Sequence, residues 1–385
     1  MSTLANLSAN PDDQRTLVVI FLRGAADGLT LVAPVGDDNY HRFRPRLAVK
    51  TGDAVPLDGF FGLHPNLRPL EAAWKEGDLA IIHGAGVEDE SRSHFEAQDF
   101  MEHGGIVAGG WLARFLRARG PASGPLSAVA LSPTLPEMLS GAPSAAAVQS
   151  IRDFALGREM KADFPRELER LYALESDTRP LGAALRAAAA GTFEAIRRIE
   201  AIDSKSAPAN GAIYDEKDDF AQGLRQIALL IKANLGLDAA SLDLGGWDSH
   251  FTQQSLIEPL MRKLAAGLAA FRQDLGPRMA TTSVVVMTEF GRRVAENASF
   301  GTDHGRGGAM FVMGGGVKGG RVFGGPAANG GKWPGLQAEL LDGPGDLPVW
   351  NNYRNILTPV LQRHGAEVAS LAEIFPGFAL APLGL

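Results

Sequence analysis

The sequence has 385 residues, of which 45% are hydrophobic and 21% charged, a globular balance that excludes a disordered chain. This length accommodates one enlarged α/β domain or a few smaller ones. The net charge of −7, without a basic stripe bearing interleaved aromatics, argues against nucleic acid or an anionic membrane as the main partner. Cysteine is absent, which excludes disulfides, thiolate metal sites, iron–sulfur clusters and a cysteine nucleophile.

The N-terminal segment is polar and has no basic stretch followed by an apolar run, so it lacks the pattern of an export signal. The first apolar stretch, Leu17–Leu22, is far too short to span a bilayer. We therefore expect no membrane insertion. We expect a cytoplasmic protein as the sequence stands, or a periplasmic one if an export signal has been trimmed.

Short apolar runs alternate with segments of helical periodicity along the chain. The runs predict buried strands at Thr16–Leu22, Leu79–His83, Leu126–Leu131, Ser241–Leu244, Ser283–Thr288 and Ala309–Met313. The periodic segments predict helices at Pro65–Lys75, Ser93–His103, Gly110–Arg117, Phe164–Leu174, Leu181–Ile202, Glu216–Leu235 and Thr252–Leu275. This alternation predicts an α/β fold with a doubly wound, mostly parallel sheet flanked by helices, in which ligands gather at the carboxyl ends of the strands.

Two segments stand apart from this alternation. Residues 134–237 are Ala-rich and show no clear strand after Leu131, so we interpret them as a mainly helical insertion within one domain of residues 1–385. The Gly-rich segment Gly314–Gly335 lacks the strand–GxGxxG–helix context of a phosphate-binding loop. We interpret it as a mobile loop.

Polar residues follow the predicted strands at five places. They are Arg23 to Asp27, Ser91 to His94, Asp248 to His250, Glu289 to Arg292 and, before the last strand, Asp303 and His304. Parallel strands would bring most of these loops to one edge of the sheet. Asp, Glu and neutral His are the usual ligands of zinc, and oxygen-rich sets suit magnesium, manganese or calcium. The sequence thus predicts a divalent-metal site, with zinc the first choice.

Several candidates have a purely structural alternative. Ser93 suits a nucleophile or an anion contact at a helix start, but Glu96 three residues later would complete a capping box with it. His94 is either a site residue or an ordinary member of the first helical turn. Asp27 is either a ligand or a turn residue beside Gly28, and Asp248 is either a ligand or a helix cap.

The carboxylate and imidazole residues below indicate a metal site more strongly than the residues that have a structural alternative. Asp248 and His250 are separated by one residue, which places them on the same side of an extended segment. Glu289 ends the apolar run VVVMT, where a carboxylate needs a partner. Asp303 and His304 lie between glycines in GTDHGRGG. These residues are the preferred metal ligands.

The segments LRGAADGL, SRSHFEAQDFME, GWDSH, TEFGRRVAEN and GTDHGRGG resemble the bacterial domain-of-unknown-function family 1501. The resemblance extends from about Thr16 to Phe375. That family is similar to the alkaline phosphatase and sulfatase superfamily, which implies an alkaline-phosphatase-like fold. The superfamily pattern matches its first-strand Asp to Asp27, its nucleophile to Ser93, and an Asp and a His to Asp248 and His250.

The chain departs from the superfamily at two points. The pair Asp248 and His250 is separated by one residue, whereas the superfamily often has three between them. Where the superfamily has an Asp-His pair, this chain has Glu289-Phe290, and Phe290 cannot replace the His. The resemblance then makes His304 the final His ligand, and the site holds one metal rather than two, or uses His94 to complete the set.

The resulting hypothesis is a metal-dependent hydrolase of phosphate or sulfate esters, acting on a small anionic substrate. Ser93 is the expected nucleophile, with His94 a further site residue and Arg23 or Arg292 holding the anion. The expected metal ligands are Asp27, Asp248, His250, Glu289 and His304, with Asp303 orienting His304. The alternatives are an inactive binding or scaffold protein of the same fold, or a phosphoryl or sulfuryl transferase.

Overall fold

The computed structural model of the protein describes residues 14–124, 126–151, 164–174, 181–200 and 206–385. Its strands are β1 (Thr16–Arg23), β2 (Val32–Ala33), β3 (Val55–Pro56), β4 (Gly62–Leu63), β5 (Leu79–Gly86), β6 (Ala128–Leu131), β7 (Ala145–Ala147), β8 (Ala239–Gly245), β9 (Thr282–Met287), β10 (Gly308–Gly314), β11 (Arg321–Phe323) and β12 (Asn351–Asn352). Its α-helices are α1 (Gly28–Leu31), α2 (Asp38–Phe43), α3 (Glu71–Lys75), α4 (His94–His103), α5 (Trp111–Ala118), α6 (Phe164–Ala173), α7 (Gly182–Glu200), α8 (Asp219–Lys232), α9 (Gln253–Leu275), α10 (Tyr353–Arg363) and α11 (Leu371–Ile374).

A large mixed sheet forms the centre of the molecule. Its strand order is β11-β5-β10-β9-β1-β8-β6-β7, with β12 also paired to β5. The central strand β1 pairs in parallel with both β8 and β9. Among the described strands of this sheet, only β10 runs against its neighbours, being antiparallel to β5 and to β9. Strands β2, β4 and β3 form a separate antiparallel sheet. The predicted α/β class and the mostly parallel sheet flanked by helices are confirmed.

Both faces of this sheet are covered, as the unbroken apolar runs predict. Along β1, Val18 and Ile20 pack into one core cluster, whereas Leu17 and Val19 pack into another on the opposite face. Helices α8 and α9 contribute to the first cluster, and α5 and α10 to the second. The alternation of side chains along each strand therefore fills two separate cores.

The structure corrects three of the predicted elements. The prediction of no strand after Leu131 within residues 134–237 is wrong, because Ala145–Ala147 pairs in parallel with β6 and extends the sheet. The Gly-rich segment is not simply a loop, since Arg321–Phe323 pairs with β5. The predicted helix at Pro65–Lys75 begins as a 3₁₀ helix, Pro65–Leu70, before α3. Within the described ranges, no helix combines the length and apolar character needed to cross a membrane.

Candidate metal centre

The side chains that could bind a metal lie at one edge of the large sheet. Strands β1, β5, β8 and β9 end at this edge, and the antiparallel strand β10 begins there. Residues that follow β8 and residues that precede β10 are therefore neighbours, although more than fifty positions separate Asp248 from His304. His94, in the first turn of α4 after β5, joins them.

Two glycines allow the loops at this edge to approach closely. Gly24 has φ +117°, and a Cβ there would lie 2.5 Å from the backbone nitrogen of Asp248. Gly301 lies so close to the next loop that a Cβ would meet the carbonyl carbon of His250 at 2.3 Å. Only glycine fits at such separations. These contacts bring the β1, β8 and β9–β10 loops together around one point.

Four potential metal ligands meet at that point. His250 Nε2 lies 3.1 Å from Asp248 Oδ1 and 2.9 Å from His304 Nε2. His304 Nε2 is 3.4 Å from Asp248 Oδ1, and His94 Nε2 is 3.6 Å from Asp248 Oδ2. One ligand atom each from His94, Asp248 and His304 lie within 4.8 Å of one another. We call these four residues the metal centre.

The spacing of these atoms suits one small cation. Zinc binds nitrogen and oxygen ligands at about 2.0–2.1 Å, so a tetrahedron of such ligands has edges of about 3.3 Å. The separations of 2.9, 3.1 and 3.4 Å among His250, Asp248 Oδ1 and His304, and of 3.6 Å from His94 to Asp248 Oδ2, lie around that value. The ligand atoms that all lie within 4.8 Å of one another are those of His94, Asp248 and His304, and His250 adjoins two of them. In addition, His94 Nε2 is buried and has no hydrogen-bond partner in the described part of the chain. The residues present therefore fit a divalent metal.

Each imidazole of the metal centre is held through its other nitrogen. His94 Nδ1 lies 2.8 Å from the carboxylate of Glu289, and His304 Nδ1 lies 2.9 Å from the backbone carbonyl of Arg92. His250 Nδ1 lies 3.4 Å from Asp303 Oδ1. Metal-binding histidines usually donate their second ring N–H to a carboxylate or a carbonyl, which fixes the ring and its tautomer.

The charges around the metal centre tune its protonation. Burial alone would raise the pKa of Asp248, but the hydrogen bond from Arg292 and nearby charges hold that pKa below its ordinary value. Burial, together with the charge of Arg292, lowers the pKa of His304 and favours its neutral, metal-binding form. The hydrogen bond to Glu289 raises the pKa of His94. A metal at His94 would therefore compete with a proton.

Glu289 occupies the centre of a buried hydrogen-bond network rather than the metal centre itself. Its carboxylate accepts hydrogen bonds from His94, from Gln98 Nε2 at 3.0 Å, from the Gly24 N–H at 2.8 Å and from Thr288 Oγ1 at 2.9 Å. Burial would raise the pKa of Glu289, but these donors keep it below its usual range. Glu289 is thus an ionised partner that orients His94.

The side chains of three other predicted site residues are committed to contacts within the protein. Both oxygens of Asp27 are taken by the Arg44 guanidinium, at 2.6 and 3.1 Å, and the ion pair is fully buried. Arg292 is 1% exposed and donates to Asp248 and to backbone carbonyls. Arg23 pairs with Asp243 and Glu102. The guanidinium groups of Arg44, Arg292 and Arg23 position the surrounding loops.

Asp303 has a different partner from the one expected. The prediction that it orients His304 is wrong, because its carboxylate faces His250 and also accepts a hydrogen bond from Asn297. Asp303 and His304 therefore approach His250 from different sides, with Asp303 Oδ1 at its Nδ1 and His304 Nε2 2.9 Å from its Nε2.

Ser93 is the N-cap residue of α4, but its side chain does not cap the helix. The alternative of a capping box between Ser93 and Glu96 is not formed, since Glu96 accepts a hydrogen bond from Ser91 Oγ instead. The backbone N–H of Ser93 also donates to Ser91 Oγ, at 3.2 Å. The Ser93 hydroxyl, one residue before His94, is therefore not committed to holding the helix start.

Sequence reasoning did not find Arg44, Gln98, Asn297 or the carbonyl of Arg92. Arg44 and Gln98 carry no local pattern that separates them from surface residues, and a backbone carbonyl has no sequence signal. Asn297 could have been suspected, because Asn commonly accepts hydrogen bonds from its own loop. It accepts from the Ser299 and Gly301 N–H groups and donates to the carbonyl of His250.

A family model described as "Protein of unknown function (DUF1501)" matches residues 86–333. The chain belongs to this family. The matched segment includes His94, Asp248, His250 and His304, so the whole metal centre lies within it. No curated protein matches the chain.

Proposed function

We propose that this protein is a metal-dependent hydrolase of phosphate or sulfate esters with a single divalent cation, zinc foremost. The convergence of His94, Asp248 and His304, with His250 beside the last two and each histidine held through its second nitrogen, carries the proposal. Three histidines and a carboxylate form a ligand set that zinc accepts readily. Magnesium and calcium prefer ligand sets made of oxygen, so they fit less well.

We also propose an alkaline-phosphatase-like fold for the chain. The order Ser93, Asp248, His250, His304 follows the order of functional groups in the superfamily that the sequence resembles. Phe290 stands where that superfamily has a histidine, and its ring lies 5.0 Å from the rings of both His94 and His304. This apolar contact in place of a ligand supports one metal rather than two.

Ser93 is the proposed nucleophile, because it directly precedes His94 in the chain and its hydroxyl does not cap α4. A bound cation would polarise the ester and stabilise the charge that develops on its oxygens. Ser93 Oγ would attack the phosphorus or sulfur atom, the bond to the alcohol oxygen would break, and the serine proton would pass to that oxygen through solvent. Water would then hydrolyse the serine ester. The first turn of α4 offers N–H groups to the anion.

A second candidate function is binding without turnover. The commitment of Arg23 and Arg292 to buried or paired contacts favours it, because neither guanidinium is free to clamp an anionic ester. In that case the protein would bind a metal, or a metal and an anion, without cleaving it.

The test begins by removing metal with a chelator and reloading the protein with zinc, manganese, magnesium or calcium. Bound metal is measured by plasma mass spectrometry, and turnover with 4-nitrophenyl phosphate and 4-nitrophenyl sulfate. We expect one zinc per chain and hydrolysis of at least one ester, both lost in His304→Ala. Absence of bound metal and of turnover with both esters would refute the proposal, and stoichiometric metal without turnover would support the second candidate.

The role of Ser93 is tested with a matched pair of serine variants. Ser93→Ala should retain zinc but lose turnover by about a thousandfold or more, as expected for a nucleophile. Ser91→Ala removes a hydroxyl two residues away that bonds Glu96, and it should retain most of the activity. Equal losses in the two variants would show that the helix start, not a nucleophile, is being perturbed.

A further inference from the structure

The side chain of Gln253, the first residue of α9, is buried and has a complete set of hydrogen-bond partners. It is 1% exposed. Its Nε2 donates to Asp27 Oδ2 at 2.7 Å and to Thr30 Oγ1 at 3.1 Å. Its Oε1 accepts from Thr302 Oγ1 at 2.6 Å and from Ser249 Oγ at 3.3 Å. Both donor hydrogens and both acceptor positions of the amide are therefore occupied.

The two hydroxyls that this amide binds belong to the two loops that carry most of the metal centre. Ser249 lies between Asp248 and His250, and Thr302 lies two residues before His304. The Thr302 N–H also donates to the carbonyl of Ser249 at 3.2 Å, so backbone and side chains join the same pair of residues. Three of the four residues of the metal centre are thus on loops that meet at one amide group.

The orientation of the amide is fixed by Asp27. Burial alone would raise the pKa of Asp27, but the charge of Arg44 and its hydrogen bonds hold that pKa below its ordinary value. An ionised carboxylate only accepts hydrogen bonds, so Gln253 must direct its Nε2 toward Asp27. The Oε1 atom then faces the hydroxyls of Ser249 and Thr302. Because every partner is specified, the amide has one favourable orientation.

The ion pair of Asp27 and Arg44 is itself tied to the loop between β9 and β10. Arg44 Nε donates to the carbonyl of Val294 at 2.7 Å, and its Nη2 donates to the carbonyl of Arg293 at 2.9 Å. Both carbonyls belong to the loop that also contains Thr302 and His304. Hydrogen bonds therefore run without interruption from the loop after β1, through Gln253, to the loops after β8 and before β10.

We infer that Gln253 is a positioning residue, which holds the loop after β8 against the loop before β10 and so sets the spacing of the metal-binding atoms. The buried pair of Asp27 and Arg44 fixes Gln253 in place. Within the described residues, Gln253 forms no side-chain hydrogen bond with the metal centre, so it acts only through the position of the loops. Where it concerns a metal, this inference rests on the proposed function.

The first test compares two valine variants. Thr302→Val removes the shorter bond to Oε1 and should weaken zinc binding about tenfold, while the metal-free variant keeps its circular dichroism spectrum. Thr358→Val is the matched control, because both threonines are fully buried and Thr358 Oγ1 donates one hydrogen bond, at 2.7 Å to the carbonyl of Arg354. The control should retain the zinc affinity of the wild type. Equal zinc affinity in the two folded variants would overturn the inference.

A double-mutant cycle tests whether Gln253 acts through the hydroxyl of Thr302. Gln253→Leu removes all four hydrogen bonds and should weaken zinc binding more than Thr302→Val does. Adding Thr302→Val to Gln253→Leu should then change zinc affinity little, because the hydroxyl has already lost its acceptor. Additive losses in the double variant would show that the two residues act separately and would overturn the inference.

Cobalt in place of zinc reports the geometry of the metal centre rather than its affinity. Cobalt(II) absorbs strongly in the visible region when it has four tetrahedral ligands and weakly when it has more. At saturating cobalt, Gln253→Leu should differ from the wild type in the intensity and position of these bands, and Thr358→Val should not. A loss of stability alone leaves the bands of folded protein unchanged. Identical spectra for Gln253→Leu and the wild type would overturn the inference.

Hydrogen exchange in the metal-free protein separates this inference from the proposed function. The Thr302 N–H, which donates to the carbonyl of Ser249, should exchange about tenfold faster in Gln253→Leu than in the wild type. Protein that shows this difference but binds no metal would refute the proposed function and support the role of Gln253 in holding the two loops. Equal exchange rates in the two proteins would overturn that role, whether or not zinc binds.

Discussion

Replacing Glu289 by glutamine should weaken zinc binding without unfolding the protein. The substitution preserves size and most hydrogen bonds of a carboxylate that accepts from Gln98, Thr288 and the backbone of Gly24. It removes the negative charge that lies 2.8 Å from His94 Nδ1. His94 then loses both the partner that orients its ring and the charge that makes its Nε2 a stronger donor.

The structure also predicts how the loss of zinc affinity in Glu289→Gln compares with the loss on removing the charge of a second carboxylate, Asp303. Loss of a partner that orients a metal-binding histidine weakens metal affinity by about 10- to 100-fold. Glu289 is completely buried and its contact to His94 is 2.8 Å, whereas Asp303 is partly exposed and lies 3.4 Å from His250. Glu289→Gln should therefore fall near the upper end of that range. Asp303→Asn should fall near the lower end, because solvent already screens its charge.

The assay is a competition titration of zinc against a chromophoric chelator at pH 7, with circular dichroism of the metal-free variants to verify folding. Glu296→Gln is the control, since Glu296 pairs with Arg46 and contacts no histidine of the metal centre. It should leave zinc affinity unchanged. A loss in Asp303→Asn equal to or greater than that in Glu289→Gln would refute the reasoning, as would the same loss in all three variants.

Three further predictions concern stability and loop approach. Arg44→Met should lower the free energy of unfolding in urea by about 3–5 kcal/mol, because it leaves Asp27 as a buried charge without its partner. Gly24→Ala should weaken zinc binding in the chelator assay, because its Cβ would displace the backbone of Asp248. Burial lowers the pKa of His364 to about 3. In the unfolded chain the same imidazole titrates near pH 6.5. Lowering the pH from 7 to 5 should therefore reduce the free energy of unfolding by about 2 kcal/mol through this side chain, measured by urea titration at each pH.

Each of these predictions has a control. The double variant Asp27→Asn with Arg44→Met should recover part of the lost stability, and no recovery would mean that the loss comes from packing. Gly59→Ala has a similarly positive φ of +88° but meets no atom within 4 Å, so it separates backbone strain from displacement. His364→Phe should flatten the slope of stability against pH between 7 and 5. An unchanged slope would contradict a neutral, buried His364.

Most of the sheet could be predicted because its strands are apolar on both faces. Each of the six predicted strands corresponds to an observed one. The apolar run that predicts β10 does not indicate whether this strand runs parallel or antiparallel to its neighbours. The connection between β9 and β10 did indicate an antiparallel pair. A parallel crossover usually needs a helix, and residues 288–307 show no helical periodicity. Helix α10 was missed, and Pro359 interrupts its pattern.

The candidate site could be predicted by residue type but not by role. His94, Asp248, His250 and His304 were all named, because they follow or precede strands at one edge of the sheet. The division between candidate metal ligands and the residues that would orient them depends on side-chain rotamers, about which spacing along the chain says nothing. Asp27 illustrates this limit, since its partner Arg44 comes from a separate loop and no local pattern connects the two.

The direction of β10 explains how residues from three loops meet at one edge of the sheet. Because β10 begins where β9 ends, the whole β9–β10 loop stays at one edge and crosses the loop after β8. Asn297 then holds both the carbonyl of His250, at 2.8 Å, and the carboxylate of Asp303, at 3.2 Å. Arg292 ties Asp248 to the carbonyl of Gly24 on the β1 loop. With the ligands already placed by loop-to-loop hydrogen bonds, zinc binding should order little additional backbone, and most of its free energy should appear as a higher melting temperature.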